Sequence, residues 1–250
     1  MRNNILRIIL FFLTISVFAQ SNKVEIVKNV DGTKLVVDGK DFMINGINWD
    51  YVPIGTDVTN ANFYENPDDI IKAGLDIEMS LLQNMNVNVV RQYVGVPAKW
   101  VTYIYEKYGI YTLLNHSFGR YGLTLDGVWT PVTIYSDEKT QKQLVSDMIN
   151  LVKDYKDVPG ILMYMMGNEN NYGLFWQGAE TEDFPEGEEQ INAIGENRGR
   201  PMYKLMNEVA IKMKEMDPNH PVAICNGDVL FIDIIAEECK DIDVYGANTY

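Results

Sequence analysis

The glutamate at position 169 follows the run Ile161-Leu162-Met163-Tyr164-Met165-Met166 and is preceded by Gly167 and Asn168. Strand interiors bury their side chains, so a carboxylate just past such a run marks a place where a buried element opens outward. Partial desolvation favours the neutral form of a carboxylic acid, and a protonated carboxyl can donate to a leaving oxygen, the task of a general acid. Position alone favours plainer work for a glutamate there, as a helix-cap partner or solvated loop residue. Other chemistry-bearing residues end apolar runs in the same way: Asn48 with Trp49, Arg91 with Tyr93, His116, and Asn248 with Tyr250. Asn168 is suited to bonding a substrate hydroxyl, and Arg91 or Tyr250 to holding a carboxylate in place. Arg91 also suits a structural ion pair, His116 a satisfied polar contact, and Trp49, Trp129 and Trp176 simple packing.

These residues need elements to position them. Val24 to Val37 carries two apolar alternations around Asp31-Gly32, which predicts a β-hairpin, with a second turn at Asp38-Gly39-Lys40. Phe42 to Asn48 reads as one strand. From there strands alternate with helices. The helices are expected at Asp68–Met85, Pro97–Lys107, Asp137–Tyr155, Met202–Met216 and Val229–Glu238. The strands are expected at Val87–Tyr93, Ile110–Leu114, Gly160–Met166, Val222–Cys225 and Val244–Ala247. Asn170 to Arg200 reads as a long polar loop with Tyr172, Phe175 and Trp176 near its start. Short apolar strands separated by amphipathic helices predict an α/β fold with parallel strands covered by helices. A closed (β/α)8 barrel needs eight strands, and only six are readable by Tyr250. Six strands fit either a smaller open sheet or a TIM barrel cut off after strand six, and the expectation is the barrel, covering residues 41–250, behind an N-terminal hairpin at 20–40.

Composition narrows the function. The 250 residues are 46% hydrophobic and 22% charged, an ordinary globular balance. A formal charge of -14 excludes the cation surplus that nucleic-acid binding requires. Arg2 and Arg7, the apolar run Ile8–Phe18 and the small residue Ala19 read as a secretory signal peptide over residues 1–19, placing the mature chain outside the cell or in a periplasm and off the membrane. Cys225 and Cys239 are placed too far apart, by strand end and helix end, to bridge, and are expected as two free, buried thiols. His116 and His220 are too scattered for a metal site, and no cofactor motif is present.

Gly167-Asn168-Glu169 after its strand resembles the Asn-Glu signature of clan A glycoside hydrolases. Phe42-Met43-Ile44-Asn45-Gly46-Ile47-Asn48-Trp49 is similar to the first-strand motif of the family two barrel domains. Asn86-Val87-Asn88-Val89-Val90-Arg91 is similar to their second strand, and Tyr105 to Tyr111 to the approach to their third. The same features resemble family seventy-two glucanosyltransferases. The resemblance runs from about residue 35 onward. It implies a secreted retaining hydrolase of β-linked oligo- or polysaccharides, with Glu169 as acid/base and Asn168 on the hydroxyl beside the reacting carbon. Arg91 and Tyr250 would position a nucleophilic carboxylate expected beyond Tyr250, and Trp49, His116 and Trp176 would line the substrate site. Without that second carboxylate the 250 residues alone are expected to be inactive. A β-glucan transglycosidase and a non-catalytic carbohydrate-binding barrel are the alternatives.

Overall fold

A computed structural model describes residues 21–50, 63–178, 181–182, 185 and 187–249. The signal peptide expected at 1–19 and the side chain of Tyr250 lie outside these residues. No helix among the described residues is long and apolar enough to cross a membrane.

The chain opens with β1 (Val24–Asn29) and β2 (Gly32–Val37), an antiparallel hairpin turning at Val30-Asp31, and β3 (Lys40–Phe42) adds to β2 after the turn at Asp38-Gly39. Both residues of that second turn have positive φ (48° and 78°), as a tight primed turn requires. The single strand expected over Phe42–Asn48 is in fact two. β3 belongs to the hairpin sheet, whereas β4 (Gly46–Asn48) joins the parallel sheet. Side-chain amides part them: Asn88 Oδ1 accepts from Asn45 N (2.8 Å), Asn88 Nδ2 donates to Met43 O (2.8 Å), and Asn45 Nδ2 donates to Asn86 O (2.8 Å).

The alternation then follows as α1 (Asp68–Asn84), β5 (Val89–Tyr93), α2 (Ala98–Tyr108) and β6 (Tyr111–His116). A small hairpin, β7 (Leu123–Leu125) and β8 (Val128–Thr130), precedes α3 (Glu138–Tyr155) and β9 (Ile161–Met166). Next come α4 (Asn170–Gly173), the short ladder of β10 (Trp176–Gly178) with β11 (Thr181–Glu182), and α5 (Glu188–Ile194). A π-helical turn at Gly195–Gly199 leads into α6 (Arg200–Met216), followed by β12 (Val222–Asn226), α7 (Ile232–Glu238) and β13 (Val244–Ala247). The stretch expected as a long polar loop therefore holds two helices and a ladder. Glu188 and Glu189 occupy the first turn of α5, where the helix dipole favours negative charge.

The helices start and stop for local reasons. Pro97 precedes α2 and Gly109, at φ 68°, ends it; Asp137 caps α3 by accepting from Thr140 N (2.9 Å). In α1, Ile71, Leu75, Met79 and Leu82 recur at helical spacing and all four are buried. Each such side chain contributes roughly 1.5–3 kcal/mol on leaving water.

The six parallel strands lie in the order β13-β12-β9-β6-β5-β4, so each new strand is laid beside its predecessor in sequence. A doubly wound sheet reverses direction from its first strand; this one never does. The two faces agree. One carries the large core shared with every long helix, while the other, among the described residues, holds strand residues: Val89, Leu113, Leu162, Met163, Met165, Ala223 and Cys225, joined by Val24 and Val37 of the hairpin. The sheet is thus a curled half-barrel, helices outside and strand side chains within, with β4 and β13 as its two edges. The hairpin plugs the inside at the N-terminal ends of the strands.

Candidate active site at the C-terminal ends of the strands

Residues on the inner face recur at every second position, so parity decides which side chains reach the mouth. Arg91 is two residues beyond the inner Val89, and Asn115 two beyond the inner Leu113. Arg91 is only 9% exposed. Its Nε donates to Asn115 Oδ1 (2.7 Å), its Nη2 donates to Asn168 Oδ1 (3.0 Å), and its guanidinium lies 5.5 Å from the ring centre of Tyr93. Asn115 Nδ2 in turn donates to Gly167 O (2.9 Å). Both side-chain bonds of Arg91 go to neutral amides, so they orient the cation without cancelling its charge.

The turn after β9 is built around two left-handed residues, Gly167 (φ 83°) and Glu169 (φ 58°). A side chain at Gly167 would put its Cβ 2.7 Å from Asn170 Oδ1, so glycine is required. Asn170 is the pin of the turn. Its Oδ1 accepts from Asn168 N (2.8 Å), and its Nδ2 donates to Phe118 O and Tyr135 OH (both 3.0 Å). A non-glycine residue in the left-handed region costs roughly 1–2 kcal/mol. At Glu169 this is held by its N–H donating to Cys225 O (3.0 Å). Glu169 occupies the cap position of α4, yet its side chain does not cap that helix. Instead Oε1 accepts from Asn248 Nδ2 (2.8 Å), and the carboxylate stays half-buried at the rim. Asn248 Nδ2 also lies 3.3 Å from Asn168 Oδ1, and the Cys225 thiol donates to Asn248 Oδ1 (3.2 Å), fixing which way that amide faces. Burial pushes the Cys225 thiol up.

Of the residues singled out from sequence, the fold brings Glu169, Asn168 and Arg91 to one mouth, with Tyr93 and Asn248. His116 and Trp49 are elsewhere. His116 has the opposite parity to Asn115. Its Nδ1 accepts from Phe118 N (3.0 Å), and burial on the helix side, opposed by Asp147 of α3, lowers its pKa. Trp49 packs edge-on against Phe63 (6.0 Å) and Tyr64 (6.5 Å) in the sheet–helix core. Trp176 contributes backbone to the ladder with Glu182, and its side chain, like that of Tyr250, is outside the described residues. Sequence reading missed Asn115 and Cys225 as site residues, although strand parity points to both. It also missed Tyr121, whose bond to Asn168 spans 47 positions and leaves no local signal, and Asn170, whose bonds to Phe118 O and Tyr135 OH are similarly distant although its bond to Asn168 N is local. Both cysteines are free, and Cys239 is half-buried rather than buried. Among the described residues, no three His, Cys, Asp or Glu side chains converge as a metal site requires. A cavity of about 360 Å³, lined by Val24, Lys214, Asp217, His220 and Asp243 among others, lies at the opposite end of the strands and contains none of the mouth residues.

No protein-family model matches the sequence, and no curated protein matches it. Solved structures do resemble the fold. The β-glucuronidase of Parabacteroides merdae superposes with a TM-score of 0.53 at 18% identity, over 92% of this chain and 23% of that one. The β-1,4-D-mannanase of Cryptopygus antarcticus gives 0.57 at 12% identity, over 91% of this chain and 71% of that one. The β-mannanase of the blue mussel Mytilus edulis gives 0.57 at 12% identity, over 91% and 73%. The chain thus spans about a quarter of the length of the β-glucuronidase. At these identities the likeness establishes a shared fold, the (β/α) barrel architecture of these glycosidases.

Proposed function

We propose that this chain supplies the acid/base half of the active site of an exported, retaining glycoside hydrolase that acts on β-linked glycans. The observation that carries the reading is the placement of Glu169. Its carboxylate is turned away from the helix it precedes, held at the rim by Asn248, beside an Asn168 amide oriented by Arg91. The shared fold of β-glucuronidases and β-mannanases supports a β-linked sugar as the ligand.

In the first step the protonated Glu169 gives its proton to the glycosidic oxygen as the C1–O bond breaks and a nucleophilic carboxylate bonds to C1. That second carboxylate is assigned to residues following Tyr250, about 5–5.5 Å from Glu169 as retention requires. In the second step Glu169, now ionised, takes a proton from water as the water oxygen bonds to C1 and the nucleophile leaves. A sugar hydroxyl in place of water would make this step a transglycosylation. Arg91, whose charge its amide partners leave uncancelled, holds the nucleophile ionised and in place. Asn168 bonds the hydroxyl next to the reacting carbon.

The test is Glu169→Gln in the full-length protein. Turnover of glycosides with poor leaving groups should fall by at least about 10³-fold, while activated aryl glycosides, which need little protonation, retain far more of their first-step rate. Equal losses on both substrates would remove the acid role. Binding of oligosaccharides with no turnover by the wild type would instead identify a carbohydrate-binding barrel.

A further inference from the structure

The β7–β8 hairpin grows from the loop after β6, on the same side of the sheet as Glu169. It turns at Asp126-Gly127, both at positive φ (51° and 80°). Its register pairs Thr124 with Trp129 and Leu123 with Thr130. Leu123 is buried beneath the hairpin, and Trp129 is 56% exposed. Packing therefore does not explain a tryptophan at that position, where a polar residue would suit solvent better. The ring is nevertheless held in place. A Cβ on Gly122, at φ 100°, would lie 2.8 Å from Trp129 Cζ2, so the indole rests directly on the Gly122 backbone.

Tyr121, the residue before that glycine, is 45% exposed, and its ring has the Arg120 guanidinium 5.3 Å from its centre. Its hydroxyl accepts from Asn168 Nδ2 (3.0 Å). Contacts thus join Asn168, the neighbour of Glu169, to Tyr121, and the next residue, Gly122, to Trp129. Flat aromatic faces match the C–H faces of pyranose rings, whose hydroxyls then project to the edges.

We infer that Tyr121 and Trp129 form a stacking platform for sugar units next to the one that reacts, so that the substrate is an extended β-linked oligosaccharide rather than a short terminal glycoside. The inference rests on the glycosidase reading above and names the substrate class for that site. Continuity with Asn168 is what assigns the exposed rings to a glycan and not to a protein partner.

The experiment measures calorimetric binding to the full-length Glu169→Gln protein, using cello-, manno- and laminarihexaose and the matching disaccharides. At least one hexasaccharide should bind. Adding Trp129→Ala should weaken that hexasaccharide about tenfold and the disaccharide by less than about twofold, with Trp129→Phe recovering most of the loss. Val128→Thr, a change on the same exposed strand, should leave both affinities as they were. Equal losses at both lengths, no loss at either, or no hexasaccharide bound would each overturn the platform. The two readings fail separately. If Trp129→Ala has no effect while Glu169→Gln still abolishes turnover, the acid role survives and the platform does not. If length-dependent loss appears but Glu169→Gln turns over normally, the platform survives as a binding surface and the acid role falls.

Discussion

At the N-terminal ends of the strands, buried polar groups are tied to one another. Asn22 donates to Asp38 Oδ2 and Tyr105 OH (both 2.9 Å) and accepts from Gly160 N (3.0 Å), latching the hairpin to the sheet. Asp217 Oδ2 accepts from Tyr164 OH (2.8 Å) and meets His220 Nδ1 (2.7 Å), so a buried carboxylate has an imidazole and a phenol as partners. At the C-terminal ends the pattern is different. The cation of Arg91 and the carboxylate of Glu169 each bond to amides rather than to opposite charges, and Glu169 takes a left-handed backbone conformation. One end uses its polar groups to hold the chain together. The other keeps charged groups oriented but available and tolerates strain to aim one of them, as functional sites commonly do.

The contrast breaks most sharply if a mouth substitution costs stability or a substitution at the other end costs chemistry. The largest effect expected is Glu169→Gln in the full-length protein, at least about 10³-fold in turnover, with a midpoint of thermal unfolding within about 2 °C of wild type. A fall of many degrees would mean that the carboxylate is structural. Next is Asp217→Asn, which should lower unfolding free energy by about 2–3 kcal/mol at pH 7 in urea titrations, leaving KM unchanged.

Acid sharpens that second test. Burial alone would raise the Asp217 carboxyl, but the bonds from His220 and Tyr164 outweigh it and hold the group below its ordinary 3.8. The unfolded chain therefore binds this proton more readily. The stabilisation is complete above that value and is lost as pH falls through the lower folded one. The gap between wild type and Asp217→Asn should narrow below about pH 4; a gap that widened there would contradict the assignment. A smaller effect, about 1–2 kcal/mol, is expected for Asn22→Ala, with faster proteolysis around residues 21–42 as its signature. The smallest change in stability is expected for Glu169→Asn. Asparagine tolerates the left-handed region, so the variant should be inactive yet unchanged in stability or up to about 1 kcal/mol more stable. Loss of more than about 1 kcal/mol would show that the turn after β9 is not strained.

Much of the wall was legible in the chain, and the misses have physical causes. The periodicity of Ile71, Leu75, Met79 and Leu82 placed α1, and the apolar run before Gly167 placed β9. The break between β3 and β4 was not legible, because it is made by the amide of Asn88, some forty residues away in sequence from Asn45. The β7–β8 hairpin has a local signal in Asp126-Gly127, a dipeptide that favours a primed turn. His116 and Trp49 were placed at the site because they end apolar runs. Strand parity turns His116 outward, and two aromatic neighbours in the core take up Trp49.

By itself the sequence determined the alternation of strands and helices and the candidate acid at position 169, because both follow from local spacing of apolar and polar residues. Only the tertiary structure decided that the strands curl in sequence order with strand side chains on the inner face, and that Asn248, Cys225, Arg91 and Tyr121 converge on Asn168 and Glu169. Those relations join residues as many as 80 positions apart. A hydrogen bond depends on where two atoms meet in space, and that is set by packing of the whole sheet rather than by any stretch of chain.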